Sequence, residues 1–336
     1  MTNAAMREGH QIFTTELRRF AERSADPHIA ALIERLGGPL RVAVRGRNGV
    51  GRSTVAAALT CAGILVVDDA VDEADVDVVV VAEAVKPEDR AMLRAAPTLV
   101  VLNKADLAGF GAGGPLAVAD RRAASLRPMM GLPVVPMVGL LAAAELDDEL
   151  LGALQVLTTE PADLTSTDGF LAAEHSLAPA VRARLLNTLD LFGIAHCVLA
   201  LRQGADCAAL AGLLRRLSRL DEVATHVTAT GAQVRYQRVQ SALAALRAMA
   251  AHRPAVAEFL RDDDTVIAVM AAAVDVVTAA GLTVDASDTA AAHLRRAHHW
   301  HRYSRGPVDA LHRSCGADIR RGSLRLLRRP SGTEAR

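Results

Sequence analysis

Lysine is almost missing from this chain. Lys86 and Lys104 are the only two among 38 basic residues, so the positive charge is nearly all arginine. That bias weakens any single arginine as a functional choice and makes the lysine kept at 104 more telling. Thirty-eight acidic residues balance the basic ones, which removes any global electrostatic case for nucleic acid. The four cysteines, Cys61, Cys197, Cys207 and Cys315, form no C-x-x-C pair, and no basic stretch followed by an apolar export segment opens the chain. A reduced, cytoplasmic protein is expected. A spanning helix needs roughly 18–20 apolar residues, and residues 129–144 fall short of this and carry two prolines. A spanning protein is therefore not expected, while peripheral membrane contact stays open. Aromatics are 3% of residues and hydrophobic residues 51%, with much alanine, which suits a helix-rich soluble protein. The length of 336 residues fits one large core or two modest ones.

Residues 11–36 read as helix. Ile12, Leu17, Phe20, Ile29, Leu32, Ile33 and Leu36 recur at helical spacing, with a break at Asp26-Pro27 and a stop at Gly37-Gly38. This leading element lies outside the β/α pattern and is expected to pack on something further along. Strands then read at 42–44, 64–67, 76–82, 98–102 and 133–138, with helices at 54–61, 87–95, 116–126 and 145–158. Near-continuous apolar strands imply a parallel sheet with helices on both faces. Past 160 the pattern is helical over 178–191, 208–220, 233–251, 255–260, 265–280 and 288–303; 192–201 reads equally as strand or buried helix. The chain from 295 is strongly basic and histidine-rich.

Residues 41–54, RVAVRGRNGVGRST, carry the chemistry. Gly46, Gly51 and Ser53 fall at the positions of G-x-x-x-x-G-K-[ST], with Arg52 in the place of lysine. Such a loop cradles phosphate in main-chain N–H groups at a helix N-terminus, and its hydroxyl reaches Mg²⁺. The candidate phosphate-loop residues are Gly46, Asn48, Gly49, Val50, Gly51, Arg52, Ser53 and Thr54. A second signal, Asn103-Lys104-Ala105-Asp106, follows a strand, and open α/β sheets bind ligands at the carboxyl ends of their strands.

With both motifs in compatible order, residues 41–160 resemble the guanine-nucleotide-binding domain of translation-factor-related GTPases. The resemblance implies that Asn103 and Asp106 read the guanine edge and that Lys104 packs along the nucleotide. Residues 181–250 are similar to the helical part of bacterial dynamin-like GTPases, which implies that the leading helix and the trailing helices join in a bundle. The expected class is α/β: a P-loop nucleotide-binding domain with a mostly parallel sheet, plus N- and C-terminal helices forming a helical bundle. The expected parts are an N-terminal helical segment (11–37), the GTPase-like domain (39–160), a mainly helical domain (165–303) and a basic tail (304–336).

The departures are chemical. Lysine is a compact charge and arginine a planar fork, so they do not interchange in a tight loop. Val138-Gly139-Leu140 stands where the family has a base-contacting Ser-Ala loop. Asp68 or Asp69 sits at a strand end, yet neither has glycine three residues later, and no threonine lies between Thr60 and Thr98. Ser53 and Asp69 are the candidate Mg²⁺ ligands. Hydrolysis needs a positioned water and transition-state charge stabilisation, so weak or absent turnover is expected. The sequence thus predicts a GTPase-related regulatory or scaffold protein that takes GTP or GDP and pairs with an active dynamin-like GTPase. Two other readings stay open: an active Mg²⁺-dependent GTPase using Arg52, and a membrane-peripheral or nucleic-acid adaptor acting through the basic C-terminus, nucleic acid being the less favoured.

Other clusters carry less. His293, His298, His299, His301 and His312 lack the partner spacing of a zinc site, so polar packing is expected and structural zinc is not. The run 262–264 reads as a turn and N-cap, and Asp72, Glu73, Asp75 and Asp77 as an exposed acidic loop.

Overall fold

The computed structural model describes residues 9–24, 26–68, 74–94 and 96–329. Two helices lead, α1 (Gly9–Ser24) and α2 (Pro27–Gly37). The Asp26 carboxylate accepts from the His28 amide and Pro27 opens the first turn of α2, a start signal read correctly as a break between two helices.

A β/α alternation follows: β1 (Arg41–Gly46), α3 (Arg52–Cys61), β2 (Leu65–Val67), β3 (Val76–Ala82), α4 (Pro87–Ala91), β4 (Thr98–Asn103), α5 (Gly114–Met130) and β5 (Val134–Pro136). The strands form one sheet, order β2-β1-β3-β4-β5, and every pairing is parallel. Val78, Val80 and Leu99 pack with Val55 and Leu59 of α3, while Val79, Val81 and Val100 pack with Ala123 and Leu126 of α5. Both faces are covered, which is why the strands show no apolar/polar alternation. This is a P-loop-like α/β topology.

The same unit continues through α6 (Gly139–Ala142), α7 (Asp148–Thr159), α8 (Thr167–Ala172), α9 (Pro179–Arg202), α10 (Cys207–Ser218) and α11 (Leu220–Thr230). The stretch 192–201 is helix, the second half of α9. Contacts group Leu40–Thr228 as one unit, so it extends well past the 160 boundary expected from sequence. The reason is a shared core: Ala105, Ala119 and Leu141 pack with Leu154, Leu189 and Leu210. By length and composition α9 alone among the described helices could cross a membrane, but it is a third buried and broken at Asp190.

The second unit joins the chain up to Pro39 with the chain from Ala229 onward. Here α12 (Ala232–Ala250), α13 (Pro254–Arg261), α14 (Asp263–Ala279), α15 (Ala290–Ser304) and α16 (Ala310–Arg328) form a bundle with α1 and α2. Phe13, Leu17, Ile29, Tyr236, Val269, Trp300 and Ile319 fill its core, and Phe20 stacks on Phe259 at 4.7 Å. Two buried polar clusters complete it. Asp318 accepts from the Tyr236 hydroxyl (2.8 Å), Gln240 (2.7 Å) and Arg321 (3.2 Å). Arg296 donates to Ser323 (2.9 Å), to the Asp285 carbonyl (2.5 Å) and to His293 Nδ1 (2.7 Å), which leaves the proton on His293 Nε2, 3.0 Å from Asp288. Burial pushes the Cys315 thiol up to about 12 and that of Cys197 to about 11, so neither is a nucleophile at neutral pH.

Two sequence expectations change. Much of 304–336 is not a solvated tail, since α16 lies against α14 and α15. Its apolar stripe is hard to read because small residues occupy it: a Cβ on Gly322 would lie 2.4 Å from Met270 Cβ, so glycine permits the close approach of α14. Asp75 and Asp77 are not an exposed acidic loop either. Asp75 accepts from the Arg41 amide (2.8 Å), and Asp77 is 1% exposed and paired with buried Arg45 at 3.1 Å. Asp72 and Glu73 lie outside the described residues.

Candidate functional site

The carboxyl edge of the sheet is organised by one amide. Asn103, the last residue of β4, is 4% exposed. Its Nδ2 donates to the Val50 carbonyl (2.9 Å), and its Oδ1 accepts from the Gly139 amide (2.9 Å). The loop after β1, the end of β4 and the start of α6 are thereby tied together. Asparagine alone among the acid/amide pair offers both a donor and an acceptor here. Gly51 closes the arrangement: it sits in the left-handed region at φ 84° as the cap of α3, and a Cβ there would lie 2.4 Å from Asn103 Nδ2. Glycine is needed on both counts.

A cavity of about 200 Å³ opens beside this tie, and Thr54, Lys104, Asp106, Leu140 and Asp190 contribute to its walls. Lys104 is exposed in a left-handed conformation (φ 58°), which turns the chain into the single 3-10 turn Ala105–Leu107 that carries Asp106. Burial raises the Asp106 carboxyl above the usual range, and the nearby Asp190 carboxylate adds to the rise while Lys104 opposes it. Its own main-chain amide also opposes the rise, and no side chain hydrogen-bonds to Asp106 among the described residues.

The phosphate-loop candidates divide. Gly51 and Thr54 meet Asn103, Lys104 and Asp106 around the cavity. Val50 is buried in the core, while Asn48, Gly49, Arg52 and Ser53 form an exposed crest outside it. Next to Gly46, Arg47 has its guanidinium engaged by Asp89 at 2.7 Å, a buried acid that also accepts from the Lys86 amide at 2.8 Å. A helix N-terminus such as the start of α3 offers main-chain N–H groups of the kind that hold a phosphate. For Mg²⁺, Ser53 is the described candidate, exposed at the first turn of α3; Asp69 lies outside the described residues. Mg²⁺ is ordinarily held by one or two side chains plus substrate phosphates, so this site would take the ion only together with the phosphates.

Sequence reasoning did not single out Asp89 or Asp190. A lone acid inside the apolar run LLNTLDLFGI was the available signal for Asp190, and K-P-E-D, with proline at the helix start, for Asp89. No family model, no curated protein and no solved structure matches this chain. The functional reading therefore rests on the topology and on this edge of the sheet.

Proposed function

We propose that this chain is a GTPase-related regulatory or scaffold protein that binds guanine nucleotide and hydrolyses it weakly or not at all. The observation that carries the reading is the convergence of Thr54, Lys104 and Asp106 on one cavity at the carboxyl edge of a P-loop-like sheet. At about 200 Å³ the cavity is smaller than the roughly 300–1,000 Å³ of whole-ligand pockets. It suits a base alone, with the sugar and phosphates running out toward the exposed crest at Arg52 and Ser53. An ionised Asp106 accepts hydrogens from a purine's N1 and 2-amino group, and guanine carries both while adenine does not.

Weak turnover follows from what surrounds the phosphates. Arg52 cannot reproduce a lysine point charge in a tight loop, and Arg47 is already held by Asp89. Such a protein acts by the conformation its nucleotide stabilises, which suits pairing with an active dynamin-like GTPase in the cytoplasm. Titration calorimetry with GDP, GTP and ADP, with and without Mg²⁺, followed by a phosphate-release assay, tests this. Guanine-selective binding without turnover is expected. Turnover lost on Ser53→Ala would instead establish the active enzyme, and a preference for ADP would remove the role given to Asp106.

One observation favours a second, membrane-peripheral reading. Helix α15 contains no acid, and the single acid of α16, Asp318, points inward to Tyr236 and Gln240. Positions 294, 298, 301 and 305 and positions 313, 320, 324 and 328 fall at helical spacing, giving two leucines, two histidines and four arginines. Desolvation lowers the pKa of His301 first, and Arg320, Arg305 and His298 add to it, so the two stripes adjoin. A cationic face with exposed Leu294 and Leu324 suits an anionic bilayer surface. Sedimentation with phosphatidylserine vesicles, lost in Arg305→Glu/Arg320→Glu and absent with neutral vesicles, is the expected outcome; binding to DNA but not to vesicles would overturn it.

A further inference from the structure

Asp190 is the strangest residue in the sheet-containing unit. It lies inside α9 at φ 53°, ψ 176°, a region in which glycine is nearly the only comfortable residue. The chain is helical on both sides, so the strain is confined to this one position. The bland explanation is a local cap, and Oδ1 does accept from the Leu191 amide at 2.6 Å. That bond is to the next residue in the chain, however, and it leaves the other carboxylate oxygen with no partner among the described residues. The same side chain lines the cavity with Asp106, close enough for the two carboxylates to repel. Backbone strain and like-charge repulsion thus meet at one cavity, and each is unfavourable without a ligand.

A group presenting several N–H donors would relieve the repulsion. Guanine has three along one edge: one on N1 and two on the amino nitrogen carried by the neighbouring C2. A single carboxylate takes the N1 hydrogen and the nearer amino hydrogen, which leaves the outer amino hydrogen needing an acceptor on the far side. We propose that Asp190 is a second base-reading carboxylate, accepting that outer hydrogen of the 2-amino group, so that the cavity selects guanine over hypoxanthine from two sides. This assignment rests on the guanine reading above and deepens it. It also explains why aspartate, rather than glycine, occupies a strained position.

The test compares GDP with inosine diphosphate, which lacks the 2-amino group, and with 2′-deoxy-GDP, by calorimetry on the full chain. The variants are Asp190→Gly, which the backbone accommodates and which removes the carboxylate, and Asp190→Asn, which keeps the size. A hydrogen bond to a charged acceptor corresponds to roughly a 10- to 100-fold affinity difference. The GDP preference over inosine diphosphate should fall by about that factor in Asp190→Gly and by less in Asp190→Asn. Affinity for inosine diphosphate should stay level, and the melting temperature of the glycine variant should hold or rise. An unchanged preference, or equal weakening of both nucleotides, overturns the role of Asp190 and leaves the guanine reading standing. A variant effect seen with GDP but not with 2′-deoxy-GDP would move the contact to the ribose and overturn it too. No GDP binding by the unaltered protein overturns the guanine reading and this assignment together.

Discussion

Two polar clusters of the bundle and the acids at the sheet edge are satisfied in different ways. In the bundle, Asp318 is surrounded by Tyr236, Gln240 and Arg321, and Arg296 by Ser323, His293 and the Asp285 carbonyl. These clusters are complete within the unit. At the sheet edge Asn103 is equally complete, but Asp106 and Asp190 face a cavity and each other. Satisfied networks fix a unique packing, whereas acceptors facing an open cavity await donors from elsewhere. The difference is what makes the sheet edge the proposed place for a ligand, while the named bundle clusters are complete without one.

Breaking the complete networks should cost the most. Asn103→Ala strands the Val50 carbonyl and the Gly139 amide; at about 1–3 kcal/mol for each buried orphan, the Leu40–Thr228 unit should lose about 2–5 kcal/mol in denaturant unfolding and lose nucleotide binding as well. Asp318→Ala leaves the Tyr236 hydroxyl and Gln240 without their acceptor. The bundle should lose about 2–4 kcal/mol, read by hydrogen exchange in α12 and α16, while GDP affinity is unchanged.

Acid should act with opposite sign through one group in each unit. Burial, with Arg235 and Arg238 nearby, lowers His10 in α1 to about 4. The unfolded chain then takes up a proton below about 6.5 that the folded chain refuses, so bundle stability falls as pH drops from about 6.5 toward 4. Asp106 is shifted upward, so its own titration favours the folded sheet unit on acidification, while Asp147, Glu160, Asp163 and Asp221, all shifted downward, act the other way at lower pH. Protonated Asp106 can no longer accept both guanine hydrogens, so GDP affinity should fall over the same range. Unit-resolved hydrogen exchange at several pH values checks this, and the two contributions should be lost in His10→Gln and Asp106→Asn respectively. The smallest effect belongs to the surface: Arg184 pairs with Asp147 and Glu149, all about half exposed. Arg184→Ala should change stability least of these variants, and progressively less with added salt.

What could be read in advance tracks the range of the physical signal. Buried parallel strands show as apolar runs, so β3 (Val76–Ala82) and β4 (Thr98–Asn103) were legible almost to the residue. Asp26-Pro27 and Gly37-Gly38 announced the ends of helices by local chain geometry. The extent of the sheet unit was not legible, because whether α7 and α9 share a core with Ala119 is a matter of tertiary contact. Helix α16 was missed because Gly322 and Ser323 occupy its buried side, and small residues do not register as an apolar stripe. Lys104 and Asp106, which the motif singles out, do line the same cavity. Asp190 was not legible, since one residue's dihedral angles leave no periodicity to detect.

The bundle is assembled from both ends of the chain, with residues 40–228 between its two parts. On the ribosome this has an order built into it. The sheet unit has all its strands and helices available long before α16 is made, so it can fold while α1 and α2 wait without their partners. Once it has folded, the long segment separating Gly9 from Asp275, whose carboxylate accepts the Gly9 amide at 2.6 Å, no longer behaves as a flexible loop, and the entropy of bringing the ends together shrinks. Helix α14, against which α1 lies, is made only after the whole sheet unit, so the leading helix finds its seat late.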